Sequence, residues 1–291
     1  MTRPFFSVVI PTLNEEAFLP KLLHDLQKQT FEQFEVVVVD GKSEDKTAEL
    51  VQKLAEKDTR FKLISSSIRN VSAQRNLGGT RASAKTLLFL DADVRLPRYF
   101  LEGIHYNLLR HTYDGWTAQM RADSSKVSDR LSVNLYQTMN EIALRLKKSF
   151  IFGPCIGCKK QVFSKIKGFD QTLKIGEDSD FVQKIITQGM TFMILPDPYF
   201  VFSFRRFRKE GLFNTINLTF VLALKTLLNE RITEPVPEYP MLGGQYFTLK
   251  KKANALDIRK EFAPLFSSMS AVNRKKIGRI LDQLKEYVTK Q

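Results

Sequence analysis

The sequence predicts an α/β fold in which a mostly parallel sheet carries helices on both faces. Short apolar runs alternate with stretches whose apolar residues recur every three or four positions. This alternation of strand and helix patterns is typical of a parallel sheet with helical connections. No internal repeat is evident, which argues against a solenoid. A chain of 291 residues accommodates one large domain, alone or with an appendage.

The first predicted strand is Ser7–Ile10, and Pro11 ends it. Asn14 is expected to cap the helix that follows. The buried stripe of that helix is predicted to consist of Phe18, Leu19, Leu22, Leu23 and Leu26.

The second predicted strand covers residues 35–40 and ends in Asp40, and Ser43 is expected to cap the next helix. The remaining predicted elements are a strand at Phe61–Ile64, a helix from about Val71 to Ala84, a strand at Leu87–Leu90 and a last core strand at Tyr199–Phe204.

Carboxylates follow two of these strands. Asp40 ends the second strand, and Asp91 and Asp93 follow the strand at Leu87–Leu90. The carboxyl ends of parallel strands meet at one edge of the sheet, so these side chains are expected to converge there. Two hard oxygen donors suit Mg²⁺ or Mn²⁺ that carries a phosphorylated ligand. The alternative is that Asp91 caps a helix and Asp93 is a solvated loop residue.

Two common types of nucleotide site are absent from the sequence. A dinucleotide-binding domain needs G-x-G-x-x-G after its first strand, and the residues there are Pro-Thr-Leu-Asn-Glu-Glu. No G-x-x-x-x-G-K segment occurs either. The sequence therefore excludes both the dinucleotide-binding and the P-loop interpretation of the sheet.

The only cysteines, Cys155 and Cys158, form a single C-x-x-C. A structural zinc site needs four ligands, so these residues are interpreted as reduced thiols in a loop. The apolar run near the N-terminus is too short for an export signal. These features predict a reducing, cytoplasmic location.

Positive charge is concentrated near the C-terminus. The net charge is +14, and residues 203–291 contain 17 Lys and Arg against 8 Asp and Glu. Such a surplus favours a polyanionic partner, either nucleic acid or an anionic membrane surface, although solvated basic helices have the same composition. Arg205 and Arg206, in a run of cations with interleaved Phe, are candidates to bind a diphosphate, an anionic acceptor or lipid headgroups.

Two amphipathic helices are predicted in this basic region, at Leu212–Leu228 and around Ala271–Val288, with a Pro-rich link between them. The first is too short and too polar to span a membrane. It is expected to pack on the domain or to lie in a membrane interface, and the second helix suits a membrane surface or a partner.

Several segments together resemble the motifs of family 2 glycosyltransferases of the GT-A fold, in order and spacing. They are Val9–Glu16, Val39–Thr47, Ala73–Gly78, Leu90–Asp93 and, on the acceptor side, Gly168–Asp170 with Gly176–Phe181. The resemblance covers residues 5–205. It implies a GT-A catalytic domain at 1–204, a Rossmann-like mostly parallel sheet, and a basic helical C-terminal extension at 205–291.

The resemblance also implies the donor site. Residues expected to line the nucleotide pocket are Pro11, Leu13, Glu15 and Asp40. Asp40 suits a base N–H or a ribose hydroxyl. Gln74 and Arg75 lie on one helix that points toward the same edge, and Arg75 is the better candidate for a diphosphate contact. A salt bridge to a neighbouring carboxylate is the alternative for Arg75.

The resemblance further implies the catalytic groups. Asp93 would coordinate Mg²⁺ or Mn²⁺, and Asp91, followed by Ala92, would bond the ribose or the donor sugar. Asp178, at the start of a predicted helix, would be the base that activates the acceptor hydroxyl. Attack in line predicts inversion at the anomeric carbon.

The predicted function is therefore transfer of a sugar from a UDP- or GDP-sugar, at the cytoplasmic face of a membrane. The acceptor is expected to be a saccharide or a polyprenyl-phosphate-linked molecule, and nucleic acid is not expected to bind. A nucleic-acid-binding protein, a nucleotidyltransferase and a catalytically silent binder of nucleotide sugars are the alternatives.

Overall fold

The computed structural model describes residues 3–149, 151, 153–210, 232–234 and 243–244. The helices predicted at Leu212–Leu228 and Ala271–Val288 lie outside the described residues, as does most of the predicted extension at 205–291. Among the helices that are described, none is long and apolar enough to cross a membrane.

Strands and helices alternate through most of the described chain. The strands are β1 Phe6–Thr12, β2 Phe34–Asp40, β3 Phe61–Ser65, β4 Thr86–Leu90, β5 Gly115–Ala122, β6 Cys155–Lys159 and β7 Phe192–Phe202. The helices are α1 Leu19–Gln27, α2 Thr47–Ala55, α3 Val71–Arg81, α4 Phe100–Arg110, α5 Val127–Arg145, α6 Lys160–Lys165, α7 Glu177–Thr187 and α8 Arg205–Glu210.

The strands form one sheet in the order β3-β2-β1-β4-β6-β5-β7. Neighbouring strands are parallel except at β6, which runs antiparallel to both β4 and β5. The predicted α/β class with a mostly parallel sheet is confirmed. The reversed direction of β6 matters for the site. It places Gly153 and Pro154, which precede β6, beside the carboxyl end of β4, where the Asp91 N–H donates to the Pro154 carbonyl at 3.1 Å.

Both faces of the sheet are buried, which explains the continuous apolar runs in the sequence. In β1, Val8 and Ile10 belong to one core cluster and Val9 to the other. The first cluster includes residues of α1 and α4, and the second includes residues of α6 and α7. Helices therefore cover both faces of the sheet, as predicted.

Two predicted helix caps are wrong. Asn14 does not cap α1, whose N-cap is Phe18; it has a φ of +55°, and its side-chain oxygen accepts the Glu44 N–H at 2.7 Å. Ser43 does not cap α2, whose N-cap is Lys46; its hydroxyl donates to Asp40 at 2.5 Å. In both places the polar side chain fixes a loop at the strand ends instead of a helix start.

The two cysteines also lie elsewhere than predicted. Cys155 and Cys158 are free thiols, but they are buried in β6 and not in a loop. Burial raises the pKa of the Cys155 thiol to about 12. The two side chains belong to different core clusters, on opposite faces of the sheet, so they act as small apolar residues.

Candidate functional site

The loops after β1 and β2 are joined side by side at the carboxyl edge of the sheet. The Asn14 N–H donates to the Ser43 hydroxyl at 2.8 Å, and the Glu15 N–H donates to the Thr47 hydroxyl at 2.8 Å. Because the Glu44 N–H returns a bond to Asn14, each loop fixes the backbone of the other. This edge is where open α/β sheets bind ligands.

Asp40 and Gln74 hold this pair of loops in place. The Asp40 carboxylate accepts both the N–H and the hydroxyl of Ser43, at 3.0 and 2.5 Å. The buried Gln74 amide donates to the carbonyls of Thr12 and Val39, at 2.7 and 2.8 Å, and so ties the ends of β1 and β2 together. Both residues lie at the predicted edge, and in the described structure both bind protein groups.

The remaining predicted residues of the nucleotide pocket differ in exposure. Pro11 is buried within β1, and Leu13 is half-buried in the loop that follows. Ala92, between Asp91 and Asp93, is buried in a core cluster.

Arg75 joins three parts of the chain. Its Nη1 donates to Glu177 Oε1 at 2.8 Å, and its Nη2 donates to Asp91 Oδ1 at 2.8 Å and to the Gly153 carbonyl at 3.3 Å. The guanidinium also lies over the Phe169 ring, with its carbon 5.2 Å from the ring centroid. Burial lowers the pKa of this guanidinium, but the charges of Asp91, Glu177 and Asp178 together raise the pKa above its usual value. Arg75 thus forms the salt bridge that the sequence analysis gave as the alternative to a diphosphate contact.

Removal of this guanidinium is expected to destabilise the fold strongly. Arg75→Met leaves the carboxylates of Glu177 and Asp91 without their cation, and loss of one partner from a buried ion pair costs about 3 kcal/mol or more. Arg69→Met is the matched control, because the Arg69–Glu44 pair is exposed and such pairs contribute about 1 kcal/mol at most. Urea unfolding measures both variants. Equal free energies of unfolding for the two variants would contradict this role for Arg75.

Asp93 and Glu15 share one cation, the guanidinium of Arg205. Arg205 donates from Nη1 and Nη2 to the two Glu15 oxygens at 2.9 and 2.8 Å, and its Nε lies 2.8 Å from Asp93 Oδ2. The same guanidinium lies over the Phe18 ring, 4.1 Å from the centroid. This pairing connects residues 190 positions apart, across the predicted boundary at 204. Arg205 therefore contacts the predicted catalytic domain directly.

The carboxylates of Glu15 and Asp93, beside Arg205, are poorly solvated. Burial raises the pKa of Glu15 to about 7, although the hydrogen bonds and charge of Arg205 act in the opposite direction. Burial likewise raises the pKa of Asp93, and the charge of Arg205 again opposes the shift. Both acids are therefore stabilised as anions mainly by the cation beside them.

Asp178 lies in the first turn of α7, as predicted. The helix begins after Gly176, which has a φ of +84°, and Asp178 Oδ1 accepts the Ser179 N–H at 2.8 Å. Burial and the charge of Glu177 raise the pKa of Asp178, while Arg75 acts in the opposite direction. An added Cβ at Gly153 would lie 2.8 Å from Asp178 Oδ2, so the chain before β6 packs directly against this carboxylate.

Sequence patterns did not identify all of these partners. Glu177 pairs with Arg75, Gly153 packs against Asp178 and Phe18 supports Arg205. The Gly-Glu-Asp segment marked the position of Glu177 but not its partner. The family resemblance implies that the stretch from Gly153 to Lys160 helps to shape the acceptor pocket, and Gly153 lies against Asp178. Nothing in the local sequence links Phe18 to the site, because its contact with Arg205 depends on tertiary packing.

The carboxylates at this edge suit a cation. A guanidinium already lies between Glu15 and Asp93, and Asp91 is partly exposed next to them. Within the described ranges, no three His, Cys, Asp or Glu residues form a cluster that would hold a metal by themselves. A magnesium-type site needs fewer, since such ions usually bind one or two carboxylates and the phosphates of the ligand.

Comparison with known proteins gives the same fold and motifs. Residues 7–167 match the family described as "Glycosyl transferase family 2", and residues 133–208 match "N-terminal domain of galactosyltransferase". The chain is 27% identical over 247 residues to Glycosyltransferase GlyA of Streptococcus pneumoniae serotype 4, which covers 78% of this chain. That alignment covers 34% of the relative, so this chain spans about a third of its length.

Solved structures with this fold carry nucleotide sugars. TarS residues 1–349 from S. aureus, in complex with UDP-GlcNAc, superpose with a TM-score of 0.59 at 23% identity and cover 77% of this chain and 66% of that one. The mannosyltransferase PcManGT from Pyrobaculum calidifontis, in complex with GDP-Man and Mn²⁺, gives 0.62 at 19% identity, with 99% and 83% covered. At these identities the likeness concerns the fold, and it confirms the predicted GT-A architecture.

Proposed function

Because this chain belongs to glycosyl transferase family 2, we propose that it transfers a sugar from a nucleotide diphosphate sugar to a hydroxyl or phosphate acceptor, with inversion and with a divalent metal ion. One observation carries the proposal. The guanidinium of Arg75 bonds both Asp91, on the donor side, and Glu177, next to the proposed base Asp178. Donor and acceptor motifs, 102 positions apart at Arg75 and Glu177, thus meet at one edge of the sheet.

The donor is a UDP- or GDP-sugar in this proposal. The pocket for the nucleoside is bordered by Pro11, Leu13, Glu15 and Asp40. Gln74 supports this pocket because its side chain holds β1 to β2. Arg205 and Arg206, at the start of α8, are the cations that we propose for the diphosphate. The UDP-GlcNAc and GDP-Man complexes of proteins with this fold support the choice of donor.

Mg²⁺ or Mn²⁺ fits the carboxylates present. Asp93 would hold the ion, and Asp91 would bond the ribose or the sugar beside it. When bound, such an ion supplies positive charge to the diphosphate as the leaving group forms. The guanidinium of Arg205, 2.8 Å from Asp93 Oδ2, supports a cation at this position.

Asp178 is the base of the proposed reaction. Its carboxylate takes the proton of the acceptor hydroxyl while the acceptor oxygen bonds the anomeric carbon and the bond to the diphosphate breaks. The nucleoside diphosphate leaves with the bonding electrons. Arg75 holds neighbouring Glu177 and Asp91, and so keeps their charges paired while Asp178 becomes protonated.

A saccharide or a polyprenyl-phosphate-linked acceptor completes the proposal. The basic surplus of residues 203–291 favours an anionic acceptor and contact with the cytoplasmic face of a membrane. A nucleic-acid partner would use the same charge, so it is included as a competing outcome below.

A panel of UDP-, GDP- and dTDP-sugars tests the proposal, with Mn²⁺, with Mg²⁺ and with EDTA. Thermal shift reports binding, and release of the nucleoside diphosphate reports turnover. We expect one nucleotide to stabilise the protein and its sugar to be released only with metal. No shift and no release across the panel, with tight binding to nucleic acid instead, would overturn the function. Binding without any release would indicate a silent binder.

Turnover is expected to rise with pH. The pKa of Asp178 is raised to about 7, first by burial and then by Glu177, against the effect of Arg75. Below that value the carboxylic acid is protonated and cannot accept the acceptor proton, so kcat/KM increases through neutral pH and levels off above it. A pH profile of kcat/KM at saturating metal checks this. A profile that is already flat from pH 5 upward would contradict an elevated pKa at the base.

A further inference from the structure

We infer that Gly243 and Gly244 are positioning residues of the donor site, which hold the Leu13–Glu15 loop by direct backbone contact. The inference rests on the proposed function, because it assigns that loop to nucleotide binding. Neither glycine belongs to a motif found in the sequence, and they lie about 230 residues from the loop that they contact.

The backbone of the two glycines contacts the backbone of the loop. The Gly244 N–H donates to the Leu13 carbonyl at 3.0 Å. A Cβ added at Gly243 would lie 1.9 Å from the same Leu13 oxygen, and one at Gly244 would lie 2.0 Å from the Asn14 oxygen. No side-chain rearrangement relieves these overlaps, because the atoms met are backbone. Gly243 also has a φ of +60°, which a side chain disfavours.

The Leu13–Glu15 loop cannot move away from a larger residue at position 243 or 244. Its other side is bonded to the β2 loop through the Asn14 N–H to Ser43 and the Glu15 N–H to Thr47. Any added atom at Gly243 or Gly244 must therefore break these bonds or separate the glycines from the loop. In both cases the position of the loop changes.

The effect extends to the proposed metal carboxylate. A Cβ at Gly244 would lie 3.2 Å from Glu15 Oε2, which is the oxygen that accepts Arg205 Nη1 at 2.9 Å. Arg205 in turn contacts Asp93. Gly244 is thus adjacent to the group that joins the nucleotide loop to Asp93.

The test uses Gly243→Ala and Gly244→Ala in the full chain, with Gly189→Ala as the matched control. Gly189 also has a positive φ, +73°, but an added Cβ there meets nothing within 4 Å. Titration calorimetry with UDP and with GDP, in the presence of Mn²⁺, gives Kd for the nucleotide that binds. We expect Kd to rise about tenfold in the Gly243 and Gly244 variants, as for the loss of one or two hydrogen bonds, and to stay unchanged in Gly189→Ala.

Two further readouts separate positioning from folding. KM for the donor sugar should rise in Gly243→Ala and Gly244→Ala more than kcat falls. In the wild-type protein, hydrogen exchange should slow on nucleotide binding both at residues 11–15 and at residues 243–244, a measurement that needs no variant to fold.

Wild-type Kd in both variants, or slower exchange at 11–15 with no change at 243–244, would overturn this inference and leave the proposed function intact. A wild-type protein that binds none of the nucleotides would overturn both. The two failures are therefore distinguishable.

Discussion

Asp93→Ala is expected to reduce metal-dependent donor turnover about a thousandfold, since the charge that a metal and its carboxylate supply to a leaving diphosphate amounts to several kcal/mol. The variant removes the carboxylate that contacts Arg205 Nε but leaves the Arg205–Glu15 pair in place. The fold should therefore persist while the reaction is lost. Release of the nucleoside diphosphate over a Mn²⁺ titration measures the effect.

Glu49→Ala is the control for Asp93→Ala. Glu49 is an exposed acid in α2 that pairs with Lys53, away from the sheet edge, so its loss should leave turnover unchanged. If Asp93→Ala retained more than a tenth of the wild-type turnover at the same Mn²⁺ concentration, Asp93 would not be the metal carboxylate.

Asp178→Asn is expected to lower kcat by about a hundredfold to ten thousandfold, the range attributed to a positioned general base. Asparagine has nearly the same shape, and its side-chain oxygen can still accept the Ser179 N–H that Asp178 accepts at 2.8 Å. It cannot take the acceptor proton. Kd for the nucleotide should stay near the wild-type value, because Asp178 lies on the acceptor side.

Asp180→Asn provides the comparison for that variant. Asp180 is in the same turn of α7 but forms a half-buried ion pair with Lys184 at 2.7 Å, and it should matter little for turnover. A variant Asp178→Asn that loses nucleotide binding in proportion to kcat would place Asp178 in the donor site. Near-normal kcat would exclude it as the base.

The sequence predicted the sheet and its polar edge because these depend on short-range patterns. A strand buried on both faces must be continuously apolar, as in β1, β2 and β4, and an acid directly after such a strand must lie at its carboxyl end. Asp40, Asp91 and Asp93 were located in this way. Resemblance to a family added Asp178, which no local pattern would have assigned as a base.

The predictions that were wrong concern residues whose contacts depend on tertiary structure. Asn14 and Ser43 have the composition of helix caps, but in the fold their side chains bond across two loops and to Asp40. Cys155 and Cys158 were interpreted as loop thiols, but they lie in β6, which pairs antiparallel with β4 and β5. The position of Arg205 beside Asp93 depends on where β7 ends in the folded sheet.

The roles of individual residues stay predictions at this stage. Arg75 is the instructive case, since the sequence suggested a diphosphate contact and the structure shows a buried guanidinium shared by Glu177 and Asp91. A residue that organises the charges around a site and one that contacts the ligand have the same sequence signature. Only the distances between folded elements distinguish them.

The most direct test of the central claim follows the sugar released when water replaces the acceptor. NMR of freshly released sugar from the donor that binds, recorded before mutarotation, reports the configuration of the anomeric carbon. Proton abstraction by Asp178 and in-line attack predict that the configuration is inverted and that the signal disappears in Asp93→Ala. Sugar released with retained configuration, or no sugar released from any donor with metal present, would contradict the account.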